Sequence, residues 1–105
     1  MLTLHHVAIA TKEFEKYVEL FEKMGMSVRR TAGEKPKRQL WFHEGIQINE
    51  LPETAAKDRI DHIALGTDEF EGTMGKAFAN GCTPVEQKDH WFNLPDGIKI
   101  EIMKK

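Results

Sequence analysis

The feature that most constrains this chain is an internal repeat. A shift of 56 positions lays His6 on His62, Ala8 on Ala64, Thr11 on Thr67, Phe14 on Phe70 and Gly25 on Gly81. Beyond that point the copies drift by a few residues, yet Trp41-Phe42 still meets Trp91-Phe92 and Gly45-Ile46 meets Gly97-Ile98. Self-similarity of this kind marks one supersecondary unit used twice. A unit of about fifty residues is marginal alone, whereas 105 residues is the length of one ordinary domain. We therefore expect a single domain over 1–105, with module one at 1–52, a linker at 53–59 and module two at 60–105.

Within each module the periodicity changes in a fixed order. Leu4 to Ala10 alternates as a strand does, and Phe14, Tyr17, Val18, Phe21 and Met24 then recur at three and four residues, the stripe of a helix packed on a sheet. Thr11 is placed to cap that helix and Gly25 to end it. Strands are expected at 26–31, 37–43 and 46–51, so module one reads β-α-β-β-β. Module two repeats the order, with strands at 60–66, 84–87, 89–94 and 98–103 around a helix bearing Phe70, Met74, Ala77 and Phe78. That helix is the weaker of the two, because Gly72 and Gly75 inside it each cost roughly 1 kcal/mol relative to alanine. The class is α+β.

Composition removes several kinds of function. A net charge of −2 gives no sign of nucleic-acid binding, and no apolar run approaches the ~20 residues that cross a bilayer. Without a signal-peptide pattern, a cytoplasmic location is expected. The lone Cys82 makes neither an internal disulfide nor a cysteine-rich metal site, and reads as a buried structural thiol.

Alternation also says which way the histidines point. Bulky Val7, Ile9, Ile63 and Leu65 should face the helices, which leaves His6 and His62 on the opposite face beside the small Ala8 and Ala64. On the last strand Ile98, Ile100 and Ile102 take the helix face and Glu101 the other. Two modules related by a pseudo-twofold axis would bring His6, His62 and Glu101 together. Two imidazoles and a carboxylate suit Fe(II), Mn, Co, Ni or Zn, with positions left open for substrate. For a fourth donor from module one, counting from the turn glycines selects Asn49, with Gln47 two positions earlier; Glu50 reaches the same face if a bulge re-aims it.

Other candidates have plainer readings. His5 faces away from His6 and suits a surface or capping role. His43 and His90 lie on middle strands without a histidine at the matching place in the other module, and each is a lesser candidate for touching substrate. The Trp-Phe pairs read as cross-strand packing, with one aromatic of each available to wall a pocket. Arg29, Arg30, Lys35, Lys37 and Arg38 form a solvated hairpin or a clamp for an anionic substrate.

Taken together, the paired modules, His6-Val7-Ala8-Ile9, His62-Ile63-Ala64-Leu65 and the final stretch from Leu94-Pro95-Asp96-Gly97 to Glu101-Ile102 resemble the vicinal oxygen chelate superfamily, also called the glyoxalase, bleomycin-resistance and extradiol-dioxygenase superfamily. The resemblance covers nearly the whole chain. It implies two modules in one curved, incomplete eight-stranded barrel around a divalent metal, with His6, His62 and Glu101 as ligands and Glu50, in a Glu-Leu pair, as a fourth. It further implies a small substrate chelated through adjacent oxygens, and a lyase, isomerase, epimerase or dioxygenase reaction with Glu101 or Glu50 as proton carrier. Metal-free binding proteins of the bleomycin-resistance type are the alternative. Many members dimerise, so a homodimer is part of the expectation.

Overall fold

A computed structural model describes residues 1–55 and 57–105; Ala56, inside the expected linker, lies outside the described residues. The elements run β1 (Thr3–Thr11), α1 (Phe14–Lys23), β2 (Val28–Ala32), β3 (Gln39–Phe42), β4 (Ile46–Glu50), β5 (Arg59–Thr67), α2 (Phe70–Ala79), β6 (Thr83–Val85), β7 (Lys88–Asn93) and β8 (Lys99–Lys104). This is β-α-β-β-β twice over, the α+β class that the repeat implies. Strand order is β2-β3-β4-β1 in module one and β5-β8-β7-β6 in module two, and neither run closes on itself. In each, the first strand pairs parallel with the last and the remaining pairings are antiparallel.

Contacts divide the chain into two compact units, Val7–Asp61 and Met1–His6 with His62–Lys105. The division falls inside β1, so His6 belongs by sequence to module one and by contacts to the unit built on module two.

Both helices begin and end by the same devices. Thr11 does not cap α1 directly; its hydroxyl accepts the N–H of Glu13, and Thr67 does the same for Glu69. Each helix stops at a glycine with positive φ, Gly25 at 107° and Gly81 at 98°. The chain then folds back, so that Met26 N–H reaches Phe21 O at 3.0 Å and Cys82 N–H reaches Ala77 O at 3.1 Å. That bond brings the residue after the glycine against the last turn of the helix. For this reason Met26 packs on the module-one core, while Met24, expected in the helix stripe, is two-thirds exposed.

Two apolar clusters follow. In one, Phe14, Leu40, Phe42 and Ile48 are buried, with Ile9, Tyr17, Val18 and Phe21 packed around them. In the other, Met74, Phe92, Ile100 and Ile102 are buried beside Ile63, Leu65 and Phe70. Ile98 was expected to share this face but precedes β8 in the turn and is 48% exposed.

Candidate metal centre

On β5, Ile63 and Leu65 join the apolar cluster, so His62 and Ala64 take the opposite face. On β8, Ile100 and Ile102 do the same and turn Glu101 away from the core. The parallel register sets Glu101 opposite Ala64, whose methyl group leaves room above it, and the antiparallel register sets Trp91 on the other side of Glu101. His6 arrives from β1 within the same compact unit.

These residues meet. His6 Nε2 and His62 Nε2 lie 3.9 and 3.5 Å from Glu101 Oε1. The three donors fall within 4.8 Å of one another, and among the described residues they are the group of three or more His, Cys, Asp or Glu side chains placed to hold a metal ion. Both histidines are buried, at 7% and 5% exposure. Glu101 ionises more readily than an ordinary carboxyl group, because it accepts a hydrogen bond from His62 and sits near the positive potential of three imidazoles; its partial burial opposes the shift.

Around one divalent ion with bonds of about 2.1 Å, neighbouring donors stand roughly 3.0–3.4 Å apart. The observed triangle is wider, with donors within 4.8 Å of one another, so the side chains would draw together around an ion. A set of two imidazoles and one carboxylate fits a borderline-to-hard divalent cation and leaves coordination positions open for substrate.

Three neighbours of the cluster were not assigned to it by sequence. His5 Nδ1 lies 2.7 Å from His6 Nδ1, so one ring donates and the other accepts. When His6 offers its Nε2 lone pair, its Nδ1–H donates a hydrogen bond to His5 Nδ1, which orients the His6 ring. Trp91 packs edge-on to His62 with ring centroids 4.7 Å apart, and Lys88 Nζ stands 4.6 Å over the indole. His90 Nε2 lies 3.6 Å from the second carboxylate oxygen, Glu101 Oε2. No local pattern marks His5 or His90, because both contacts depend on side chains reaching past strand alternation.

Glu101 and His90 also border a cavity of about 500 Å³, with Phe70, Asp89, Met103 and Lys104 among its other walls. That volume lies within the range of small-molecule sites. A larger cavity of about 630 Å³ is lined by residues of module one and by Glu53 of the linker, and contains none of the three donors.

Module one places its candidates differently. Glu50 stays on the helix side of β4, as alternation requires, and pairs with Arg38 at 2.8 Å while accepting the Arg38 backbone N–H. The Arg38 hydrogen bonds hold its carboxyl down at about 2. Arg38 also lies 4.6 Å over the Phe14 ring, and Arg30 lies 4.1 Å over Trp41. These two arginines of the basic hairpin are therefore engaged by their neighbours. His43 follows β3, its N–H bonded to Ser27 O.

Strand register, not distance from the turn glycine, identifies the module-one counterpart of Glu101. Glu101 pairs with Ala64 and Trp91; Gln47 pairs with Ala8 and Trp41. The counterpart is thus Gln47, not Asn49. Gln47 is 3% exposed, and its amide donates to Asn49 Oδ1 at 2.7 Å.

No family model and no curated protein sequence matches this chain. Solved structures do. A hypothetical protein from Bacillus halodurans C-125 superposes with a TM-score of 0.72 at 17% identity, covering 99% of this chain and 94% of its own. Methylmalonyl-CoA epimerase from Mycobacterium tuberculosis gives 0.66 at 16% identity, covering 96% and 86%. A halotolerant catechol dioxygenase gives 0.74 at 11% identity, covering 97% of this chain but 40% of the dioxygenase. The chain has the fold of the vicinal oxygen chelate superfamily. It matches the epimerase over most of that protein's length, and spans well under half of the dioxygenase. Among the described residues no helix is long and apolar enough to cross a membrane.

Proposed function

We propose that this chain is a divalent-metal-dependent enzyme of the glyoxalase type, acting on a small molecule held through two adjacent oxygens. The observation that supports this best is the convergence of His6, His62 and Glu101, two buried imidazoles and a partly buried carboxylate with their donors within 4.8 Å. Fold neighbours named as an epimerase and a catechol dioxygenase agree with that class. They leave lyase, isomerase, epimerase and ring-cleaving chemistry all within it.

In this reading His6, His62 and Glu101 would hold the ion, which when bound acts as a Lewis acid toward a substrate oxygen. In that state His5 accepts a hydrogen bond from His6 Nδ1–H and orients the ring. Trp91 holds the His62 ring edge and shields it from water. Glu101 Oε2 faces His90, half exposed at the 500 Å³ cavity, and this pair is placed to pass a proton between substrate and solvent. Glu50 is occupied by Arg38, so the proton-carrying role falls to Glu101.

The test is metal analysis of untagged protein, followed by calorimetric titration of Fe(II), Mn, Co, Ni and Zn into wild type and His62→Ala. Tight one-to-one binding in wild type that disappears in the variant supports the site. Identical titrations of the two proteins would remove it.

A further inference from the structure

The repeat supplies an internal control for packing beneath the two helices. Shared backbone bonds fix the correspondence: Tyr17 N–H to Glu13 O matches Thr73 N–H to Glu69 O, and Met26 N–H to Phe21 O matches Cys82 N–H to Ala77 O. Under α1, Tyr17, Phe21 and Met26 pack on the core. The equivalent places under α2 hold Thr73, Ala77 and Cys82. Two aromatic rings and most of a thioether are missing; Met74 in place of Val18, and Phe78 in place of Glu22 with its ring 6.5 Å from Phe92, restore part of that volume.

The deficit has not collapsed. Thr73, Ala77 and Cys82 line an open cavity of about 480 Å³ together with Leu65, Phe92 and Ile102, and the exposed Met1 and Leu2 border it. Its interior offers little to a polar ligand, because the hydroxyls of Thr67 and Thr73 are bonded to each other at 3.1 Å and Thr67 also accepts the Glu69 N–H. At the rim, Glu69 and Lys76 carry opposite charges. Module one closes the corresponding place with polar bonds: Asp58 accepts from the Thr11 and Tyr17 hydroxyls, both at 2.9 Å. In module two apolar Met1 and Leu2 border an open mouth instead.

We propose that this space is a second ligand site, taking an uncharged, predominantly apolar small molecule. It is not part of the metal centre. Leu65 and Ile102 in its floor alternate with Ala64 and Glu101, so β5 and β8 lie between the two. The volume falls within the range of ligand pockets, and apolar cavities of this lining take up hydrocarbon guests.

The test is a ¹H–¹⁵N titration of the whole chain with toluene, naphthalene and 1-octanol, in wild type, Ala77→Phe and Cys82→Met. The two variants install the module-one residues and fill the space. Expected are saturable shifts at Leu65, Ala77 and Cys82, with His62 and Glu101 unmoved, and binding about tenfold weaker or more in each folded variant. Saturating 1-octanol should also slow modification of the Cys82 thiol. Should Ala77→Phe fail to fold, Cys82→Met and thiol protection decide. The proposal is overturned if none of the three probes gives saturable shifts, if binding survives undiminished in the folded variants, or if the shifts centre on Trp91 and Glu101.

Discussion

Module one and module two share a topology and spend it differently. In module one Tyr17, Phe21 and Met26 pack on the core beneath α1, and the acidic residue at the end of β4 is neutralised by Arg38. In module two the space beneath α2 is left open, and the acidic residue on β8 faces imidazoles. The lesson is that a duplicated scaffold tolerates unequal packing. A scaffold whose strands are fixed by hydrogen-bonded register can carry loose packing and a cluster of ionisable groups in one copy, since neither is required to set that register.

Four changes would break or sharpen this comparison. The largest effect is expected at the carboxylate. Glu101→Gln keeps the shape and removes the charge, and divalent metal affinity by calorimetry should fall by at least about a hundredfold; retained affinity would leave module two without its distinguishing chemistry.

Next come the reciprocal swaps beneath the helices. Phe21→Ala should cost about 2–4 kcal/mol in denaturant unfolding, since it removes a ring from a filled space. Ala77→Phe should cost less than about 1 kcal/mol, because the space exists already. Equal costs would mean that the two helices are packed alike.

A third change concerns acid. The Glu50 carboxyl is held at about 2, below the ordinary 4.5, so the folded state binds this proton less readily than the unfolded chain does. The resulting stability is complete above about pH 4.5 and is lost as pH falls toward 2. Thermal midpoints measured across that window should drop more steeply in wild type than in Glu50→Gln; parallel curves would show that the Arg38 pair is not what holds the carboxyl down.

The smallest effect lies on α2. Gly72 and Gly75 stand where α1 has Lys16 and Glu19, and a methyl group added at either would meet no atom within 4 Å. Gly72→Ala and Gly75→Ala should each stabilise by about 0.5–1 kcal/mol, read as a higher thermal midpoint. A loss at either would mean that the open face of α2 is occupied in solution.

Much of this was legible from local pattern. The repeat, the element order, the two turn glycines and the faces of His6, His62 and Glu101 all followed from periods of 2 and 3.6, which depend on a few neighbouring residues. Alternation also placed Glu50 on the helix side, although the Glu-Leu pair made it look like a ligand. Counting from Gly45 and Gly97 failed for the residue matching Glu101, because the turns before the last strands differ in length and only the pairing of β4 with β1 and β3 selects Gln47.

The sequence by itself determined which face each side chain would occupy, since that is a property of adjacent residues on a strand or helix. Tertiary structure alone decided the partners: Arg38 for Glu50, His5 for His6, His90 for the outer oxygen of Glu101, and open space for Ala77. Such partners lie many residues apart or are reached across alternation, and a void is the absence of a side chain at a place that three elements define together. Register and volume are sums over the whole chain, and no window of the sequence contains them.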